Sequence, residues 1–133
     1  MTWRPADRDD RTVAALWAAC AGLTLVLRPL WLAASAFLPP CLWHAWTGWP
    51  CPGCGTTRAL VRLLHADALG ALAANPLAAI VVVAFVAGGL LAPVWLAVGG
   101  RRPYVAARHR FAWTAAAAVA FLANWSWLAV SGV

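Results

Sequence analysis

Two cysteines near the middle of the chain have the residue types and the spacing that thiol or metal chemistry requires. Cys51 and Cys54 enclose Pro52 and Gly53, and a two-residue spacer lets both sulfurs reach each other or one metal ion. Gly55 allows a helix to begin directly afterwards, with its positive N-terminus facing the sulfurs, which favours thiolate. The sequence therefore predicts ligating or reactive thiols in this segment.

A second pair of soft or borderline ligands lies just upstream. Cys41 and His44 repeat the two-residue spacing, so the predicted metal ligands are Cys41, His44, Cys51 and Cys54. This set suits zinc, although the six residues between the pairs are fewer than most zinc fingers use. In an oxidising compartment the thiols can instead form a disulfide, and three thiols leave one that is free, resolving or reactive. A metal or disulfide clamp, a working redox thiol and inert thiols all remain open.

Four polar residues after the cysteine pair are further candidates. Arg58 lies one turn beyond the pair, where it can stabilise a thiolate or contact a lipid phosphate. His65 lies about three helical turns beyond the pair and is expected at the surface. Asp67 lies opposite the basic side of its predicted helix. Asn75 directly precedes a proline, and this Asn-Pro pair predicts the N-cap and first residue of a helix.

The elements that must position these residues are hydrophobic. Of the 133 residues, 64% are apolar and only 11% are charged, which is typical of a membrane protein rather than a soluble one. A helix needs about 20 apolar residues to cross the hydrocarbon core. We therefore predict an all-α membrane protein with three transmembrane helices, at about 12–38, 76–98 and 111–131, in a single integral membrane domain over 12–133.

The first predicted span is interrupted. Residues 1–11 form a mixed basic and acidic tail that should remain in the cytoplasm, and Arg28 lies where its guanidinium can reach the far interface. Pro29 predicts a kink. A basic tail, an apolar stretch and the small residues 34–36 also resemble a signal peptide, but the interruption and the distance to Ala36 argue against one. Either way, the chain after residue 38 ends up outside the cytoplasm.

Residues 39–75 are predicted to form a motif loop and one interfacial helix. Residues 56–74 contain no proline and place Arg58, Arg62 and His65 on one face, which is typical of an amphipathic helix lying in the membrane interface. Tryptophans precede it at every third position. Indole rings prefer the headgroup region, so we expect these three side chains to anchor the loop: Trp43, Trp46 and Trp49.

The distribution of arginines predicts the orientation. Seven of the ten lie in the tail or in the connection between the second and third spans: Arg4, Arg8, Arg11, Arg101, Arg102, Arg108 and Arg110. The positive-inside rule then places the N-terminus and this connection in the cytoplasm, and the motif loop outside it. We expect a multi-pass protein of the bacterial cytoplasmic (inner) membrane whose partners are the lipid bilayer and other membrane proteins. Nucleic acid is not expected, because the arginines flank apolar spans.

The spans argue against transport and against common enzyme classes. No ionisable residue occurs between Leu77 and Val98 or after Phe111, so these two helices contain no proton or ion relay. The chain also lacks a phosphate-binding loop and a serine–histidine arrangement of hydrolase type. We therefore expect an accessory or structural membrane component with a cysteine-clamped loop, and assign no catalytic residue. The alternative is a thiol-redox or metal-handling protein that uses the CPGC motif.

The motif region resembles the signature of a bacterial membrane family known as domain of unknown function 2752. The resemblance covers about forty residues, from Pro39 to Leu77, and the matching positions are Pro40-Cys41, His44, Thr47-Gly48, Cys51-Pro52-Gly53-Cys54-Gly55, Arg58-Ala59, Leu63-Leu64-His65, Asp67, Ala71-Leu72 and Asn75-Pro76-Leu77. The signature often has Gly before the Asp where this chain has Ala66, which matters if a turn is needed there. The resemblance implies a small multi-span protein with its motif loop at the membrane face and supplies no reaction.

Overall fold

The computed structural model describes residues 2–4, 7–39, 41–100, 102–104 and 110–132. Helices dominate this part of the chain, which confirms the predicted helical class. In chain order the elements are β1 (Thr2–Arg4), α1 (Arg8–Val26), α2 (Arg28–Ser35), α3 (Leu42–Thr47), α4 (Thr56–Leu64), α5 (Ala68–Ala74), α6 (Pro76–Ala97), β2 (Arg102–Tyr104) and α7 (Arg110–Ser131). The two short strands pair antiparallel, with Trp3 opposite Pro103, and were not predicted.

Two helices are long and apolar enough to cross a membrane. They are Pro76–Ala97 and Phe111–Ser131, close to the predicted second and third spans. The first predicted span consists of two helices, α1 and α2, with a break at Leu27 and a bend of 58° between them. They are long and apolar enough to cross a membrane only when taken together. Pro29 is the second residue of α2, where a missing N–H costs nothing. The described residues therefore contain two candidate spans, or three if the bent pair is one span.

Helix α1 begins four residues before the predicted start of the first span. The backbone N–H of Asp10 donates to Asp7 Oδ1 at 2.9 Å, and the N–H of Asp7 donates to Asp10 Oδ2 at 3.3 Å. This reciprocal arrangement is a capping box, which satisfies the free amides of the first turn. The charged residues of the predicted tail therefore start the helix.

Contacts divide the chain into two units, of which the first comprises Met1–Val26 and Val83–Ala115. Within it, Gly88 and Gly89 of α6 allow close approach of α1. A Cβ on Gly88 would meet the indole of Trp17, and one on Gly89 would meet the Ala21 side chain at 2.7 Å. These glycines are a close-packing surface.

The second unit comprises Leu27–Val82 and Ala116–Val133 and contains the whole motif region. In it, α4 packs against α5 and α2 against α4. The centre is a cluster of buried alanines, against which Leu63 and Ala78 pack: Ala59, Ala71, Ala74 and Ala79. Small side chains let the backbones of these short helices approach closely.

The prediction of one continuous helix over 56–74 is wrong, because the chain turns between α4 and α5. Ala66 has a left-handed backbone with φ +62°, and the N–H of Asp67 returns to the carbonyl oxygen of Arg62 at 2.9 Å. Asp67 then starts α5, since its Oδ1 accepts a 2.8 Å hydrogen bond from the N–H of Gly70. Alanine is a strong helix former, so the alanine-rich sequence hid this turn.

Several predictions stay predictions. The single membrane domain over 12–133 and the location of the tail and of the loop relative to a membrane are among them. Arg101, Arg108 and His109 of the basic connection, and Pro40 before the first cysteine, lie outside the described residues.

Candidate functional site

Two short turns bring three cysteines together. Cys41 precedes α3, which ends at Gly48 in the left-handed conformation with φ +71°. The CPGC turn (residues 51–54) is closed by a 2.9 Å hydrogen bond from the N–H of Cys54 to the carbonyl oxygen of Cys51. Gly55, with φ +77°, then starts α4. Glycine reaches these backbone conformations without strain, so both turns depend on it.

The sulfur cluster, formed by Cys41, Cys51 and Cys54, is the main feature of the site. Cys51 Sγ lies 3.4 Å from Cys41 Sγ and 3.2 Å from Cys54 Sγ, and all three sulfurs lie within 4.8 Å of one another. All three are free cysteines. Three thiolates at a tetrahedral zinc, each about 2.3 Å from the metal, lie about 3.8 Å apart. The cluster is therefore compact enough to share one metal ion.

His44 is not part of this cluster. It lies on α3 with an exposed side chain. Among the described residues, the group of clustered ligand atoms consists of the three cysteine sulfurs and does not include His44. Of the four predicted ligands, the structure therefore brings three together. The role of His44 as a fourth ligand remains a prediction.

The thiols differ in their protonation. Burial raises the pKa of Cys54 to about 12, because the thiolate is desolvated, and hydrogen bonding by the Cys51 side chain adds to the rise. The pKa of Cys41 is lowered from its ordinary value, first by the backbone N–H of His44 and then by the Cys51 side chain. A backbone amide near the Cys41 sulfur favours the thiolate, because its positive end interacts with the charged form. Without a metal, the cluster combines one acidic and one protonated thiol.

Asn75 joins the CPGC turn to the start of α6. Its Oδ1 accepts from the N–H of Ala78 at 2.9 Å, which confirms the predicted N-cap. Its Nδ2 donates to the carbonyl oxygen of Cys54 at 2.9 Å and lies 3.4 Å from Thr56 Oγ1. The side chain is 1% exposed. Because a buried amide must be hydrogen-bonded on both ends, Asn75 fixes the turn relative to the helix.

The end of α7 supports the same region through three side chains that the sequence analysis did not identify as site residues. Trp125 Nε1 donates to the carbonyl oxygen of Pro50 at 2.9 Å, directly before the CPGC turn. Trp127 Nε1 donates to the carbonyl oxygen of Ala73 at 3.1 Å. Asn124, which is buried, accepts from the N–H of Leu77 at 2.9 Å. An asparagine inside an apolar span was the available signal, since buried amides need partners.

The remaining candidate residues lie along α4 and at the turn that follows it. Arg58 and His65 are exposed, as expected for an interfacial face. Arg62 is half-buried, and its Nη1 donates to the carbonyl oxygen of Gly70 at 2.9 Å, so it links α4 to α5 instead of facing outwards. A Cβ on Gly70 would collide with the carboxylate of Asp67. Arg62 and Asp67 are structural residues of this corner.

A cavity of about 480 Å³ opens beside the sulfur cluster. Cys41 and Cys54 form part of its wall, together with Arg58 from the first turns of α4. Leu38 and Val61 make another part of the wall apolar. The volume is within the usual range of small-molecule sites, and two of the three cysteines of the sulfur cluster belong to its wall.

The segment that contains the three cysteines matches a known family model. Residues 41–89 match the model of a family described as Protein of unknown function (DUF2752). This confirms the resemblance drawn from the motif. The DUF2752 segment contains the whole sulfur cluster, Arg58, Asn75 and the turn at Ala66, and it ends at residue 89, inside α6, rather than at Leu77. No curated protein and no solved structure matches the chain.

Proposed function

We propose that the three cysteines bind one zinc ion, and that this ion clamps the motif region of an accessory or structural membrane protein. The observation that carries the proposal is the approach of three sulfurs to within 4.8 Å of one another. A disulfide uses two sulfurs and leaves the third without a role, whereas a thiophilic ion uses all three.

The position of the cluster supports a clamp. It joins Cys41, which precedes α3, to the CPGC turn, which precedes α4. Asn75 links that turn to the start of α6, and Trp125 links the residue before the turn to α7. A bound ion would close this loop and stabilise the folded state, because the site is not formed in the unfolded chain. The apolar helices α6 and α7 support a membrane location, which we propose to be the bacterial cytoplasmic membrane with the cluster on the outer side.

Metal analysis and thiol counting on the purified, detergent-solubilised chain test the clamp. We expect one zinc per chain, and removal by a chelator should lower the free energy of unfolding by about 3 kcal/mol if the ion is present at 100 times its dissociation constant. Cys41→Ser, Cys51→Ser and Cys54→Ser should each lose zinc and accumulate poorly. Cys20→Ser is the matched control, because Cys20 lies on α1 outside the cluster and its replacement should leave zinc and accumulation unchanged.

A second function, thiol-redox exchange, is favoured by one observation. Cys51 Sγ lies within 3.4 Å of both other sulfurs, while the pKa of Cys41 is lowered and that of Cys54 is raised. An acidic thiol beside a pair that can exchange partners is typical of redox sites. Metal-free protein whose Cys51 pair cycles at a potential above roughly −300 mV, with serine variants that accumulate normally, would favour this function over the clamp.

A further inference from the structure

We infer that the metal site is an open one, whose fourth coordination position faces the cavity and accepts an exogenous thiol. This inference rests on the proposed zinc clamp and names the class of ligand that completes it. The ligand is either a small thiol or a cysteine side chain of a partner protein, which share the same sulfur chemistry.

The number of protein ligands indicates that one coordination position of the zinc is open. Zinc in proteins takes four, and sites with three protein ligands keep the fourth position for an outside molecule. Among the described residues the cluster contains three ligand atoms, all sulfurs. His44 is exposed and outside it, and His65 is exposed beyond the end of α4.

The cavity beside the sulfur cluster gives the direction from which a fourth ligand can arrive. Cys41 and Cys54 both lie in the wall of the cavity of about 480 Å³, so we place the fourth coordination position on this side of the sulfur cluster. The N–H of Cys51 donates to Cys54 Sγ at 3.1 Å, so backbone occupies one side of this sulfur. The cavity is large enough for several non-hydrogen atoms beyond the ligating sulfur.

The charge of the site and the residues of the cavity wall favour a thiol as the incoming ligand. Zinc with three thiolates carries a net charge of −1 and prefers a soft donor. Among the described residues, Arg58 is the one basic side chain in the cavity wall, and no aspartate or glutamate lines it. Its positive charge offsets the cluster and permits a fourth thiolate. Leu38 and Val61 supply apolar contact for the carbon chain that bears the thiol.

Cobalt(II) replacement tests this inference on the full chain in detergent, with a phosphine reductant that is not itself a thiol. The probe is 2-mercaptoethanol. We expect a saturable increase of about one third in the thiolate-to-cobalt charge-transfer absorption, since three thiolates become four, while the cobalt content after gel filtration stays constant. Ethylene glycol, with oxygen in place of sulfur, and inorganic phosphate should leave the spectrum unchanged.

Variants separate the open site from its alternatives. Arg58→Gln should weaken 2-mercaptoethanol binding by about threefold, because the guanidinium is exposed and water screens its charge. Arg28→Gln is the matched control: Arg28 is an exposed arginine of α2 outside the cavity wall, and its removal should leave the affinity unchanged. His44→Ala should leave both the starting spectrum and the response unchanged.

A cobalt site that ignores 2-mercaptoethanol in the wild type, or responds only after His44→Ala, overturns the inference and leaves the clamp standing with a fourth protein ligand. An equal response to phosphate also overturns it. A chain that takes up no cobalt overturns the zinc clamp and the open site together. To identify the source, a peptide with one cysteine is compared with 2-mercaptoethanol: tighter binding of the peptide assigns a partner side chain, and tighter binding of the small thiol assigns a free one.

Discussion

Asn75 donates a 2.9 Å hydrogen bond from its side-chain amide to the carbonyl oxygen of Cys54, across 21 positions of sequence. The same side chain caps α6 through its carbonyl oxygen. One residue therefore connects the last cysteine of the CPGC turn to the start of the most apolar helix. Any movement of the cluster away from α6 must break a buried hydrogen bond, which is costly.

Replacement of Asn75 should separate these two roles. Asn75→Ala loses both the cap and the contact with Cys54, so we expect the free energy of unfolding to fall by about 2–4 kcal/mol. Asn75→Ser retains a capping oxygen but cannot reach the Cys54 carbonyl, and should recover about 1 kcal/mol. Denaturant unfolding of the solubilised protein, followed by circular dichroism, measures both. Equal stabilities of the two variants would contradict the capping role.

The role of Asn75 as the N-cap of α6 could be predicted from the sequence, whereas its hydrogen bond to Cys54 could not. An Asn-Pro pair before an apolar block is a local signal, and it located the start of α6 to the residue. The contact with Cys54 depends on how α4 and α5 fold back on each other. Hydrophobic blocks likewise located the two candidate spans α6 and α7, since length and composition decide them. The pairing of Trp3 with Pro103 joins distant segments and has no local signal.

The turn at Ala66 gives a prediction of increased stability. Its φ of +62° is unfavourable for alanine by about 1 kcal/mol, because Cβ crowds the backbone. Ala66→Gly should therefore raise the free energy of unfolding by about 0.5–1 kcal/mol. Ala73→Gly is the control, since Ala73 lies within α5 and glycine there should lower stability by a similar amount. A loss of stability in both variants would contradict the left-handed turn.

The sequence identified position 66 as unusual but did not predict a turn there. The departure from Gly at position 66 was visible through the resemblance alone, and a turn was not expected because alanine and leucine surround it. The structure needs the turn because Arg62 and Asp67 both engage the first turn of α5. Helix propensity gave the wrong prediction here because these tertiary hydrogen bonds outweigh it.

The cysteines should differ in their response to pH in metal-free, reduced protein. Because the pKa of Cys41 is lowered, its alkylation by iodoacetamide should reach a plateau below pH 9, while Cys54 should react slowly throughout this range. Folding raises the pKa of Cys54 from 9.0 to about 12, so the folded state binds this proton more tightly. Its contribution to stability is present below pH 9 and is lost as pH rises towards 12.

Peptide mapping by mass spectrometry after timed alkylation measures the two rates. Cys54→Ala provides the control for stability, since it removes the titrating group and should flatten the alkaline decline in the free energy of unfolding. Faster alkylation of Cys54 than of Cys41 at pH 8 would contradict the assigned order of pKa values.

The buried amide of Asn124 should matter more than its neighbours on α7. Asn124→Leu leaves the N–H of Leu77 without its 2.9 Å partner, and an unsatisfied amide in an apolar setting costs about 1–3 kcal/mol. Ser126→Ala is the matched control, because the Ser126 hydroxyl donates to Leu122 within its own helix and its loss should change stability by under about 0.5 kcal/mol. Thermal unfolding in detergent distinguishes the two, and equal effects would exclude a special role for Asn124.

The proposed membrane orientation predicts which positions an impermeant maleimide can reach in intact spheroplasts. On a Cys20→Ser background that keeps the three cluster cysteines, and with the labelling of this parent protein subtracted, Ser131→Cys at the end of α7 should be labelled from outside. Trp127, one turn before it, contacts Ala73 of the motif region, so this position reports the side on which the cluster lies. Ala112→Cys, at the other end of the same apolar helix, should be labelled only after lysis. If α7 spans the membrane, its two ends must give opposite results. Labelling of Ala112→Cys alone in intact cells would reverse the orientation, and labelling of both would mean that α7 does not cross the membrane.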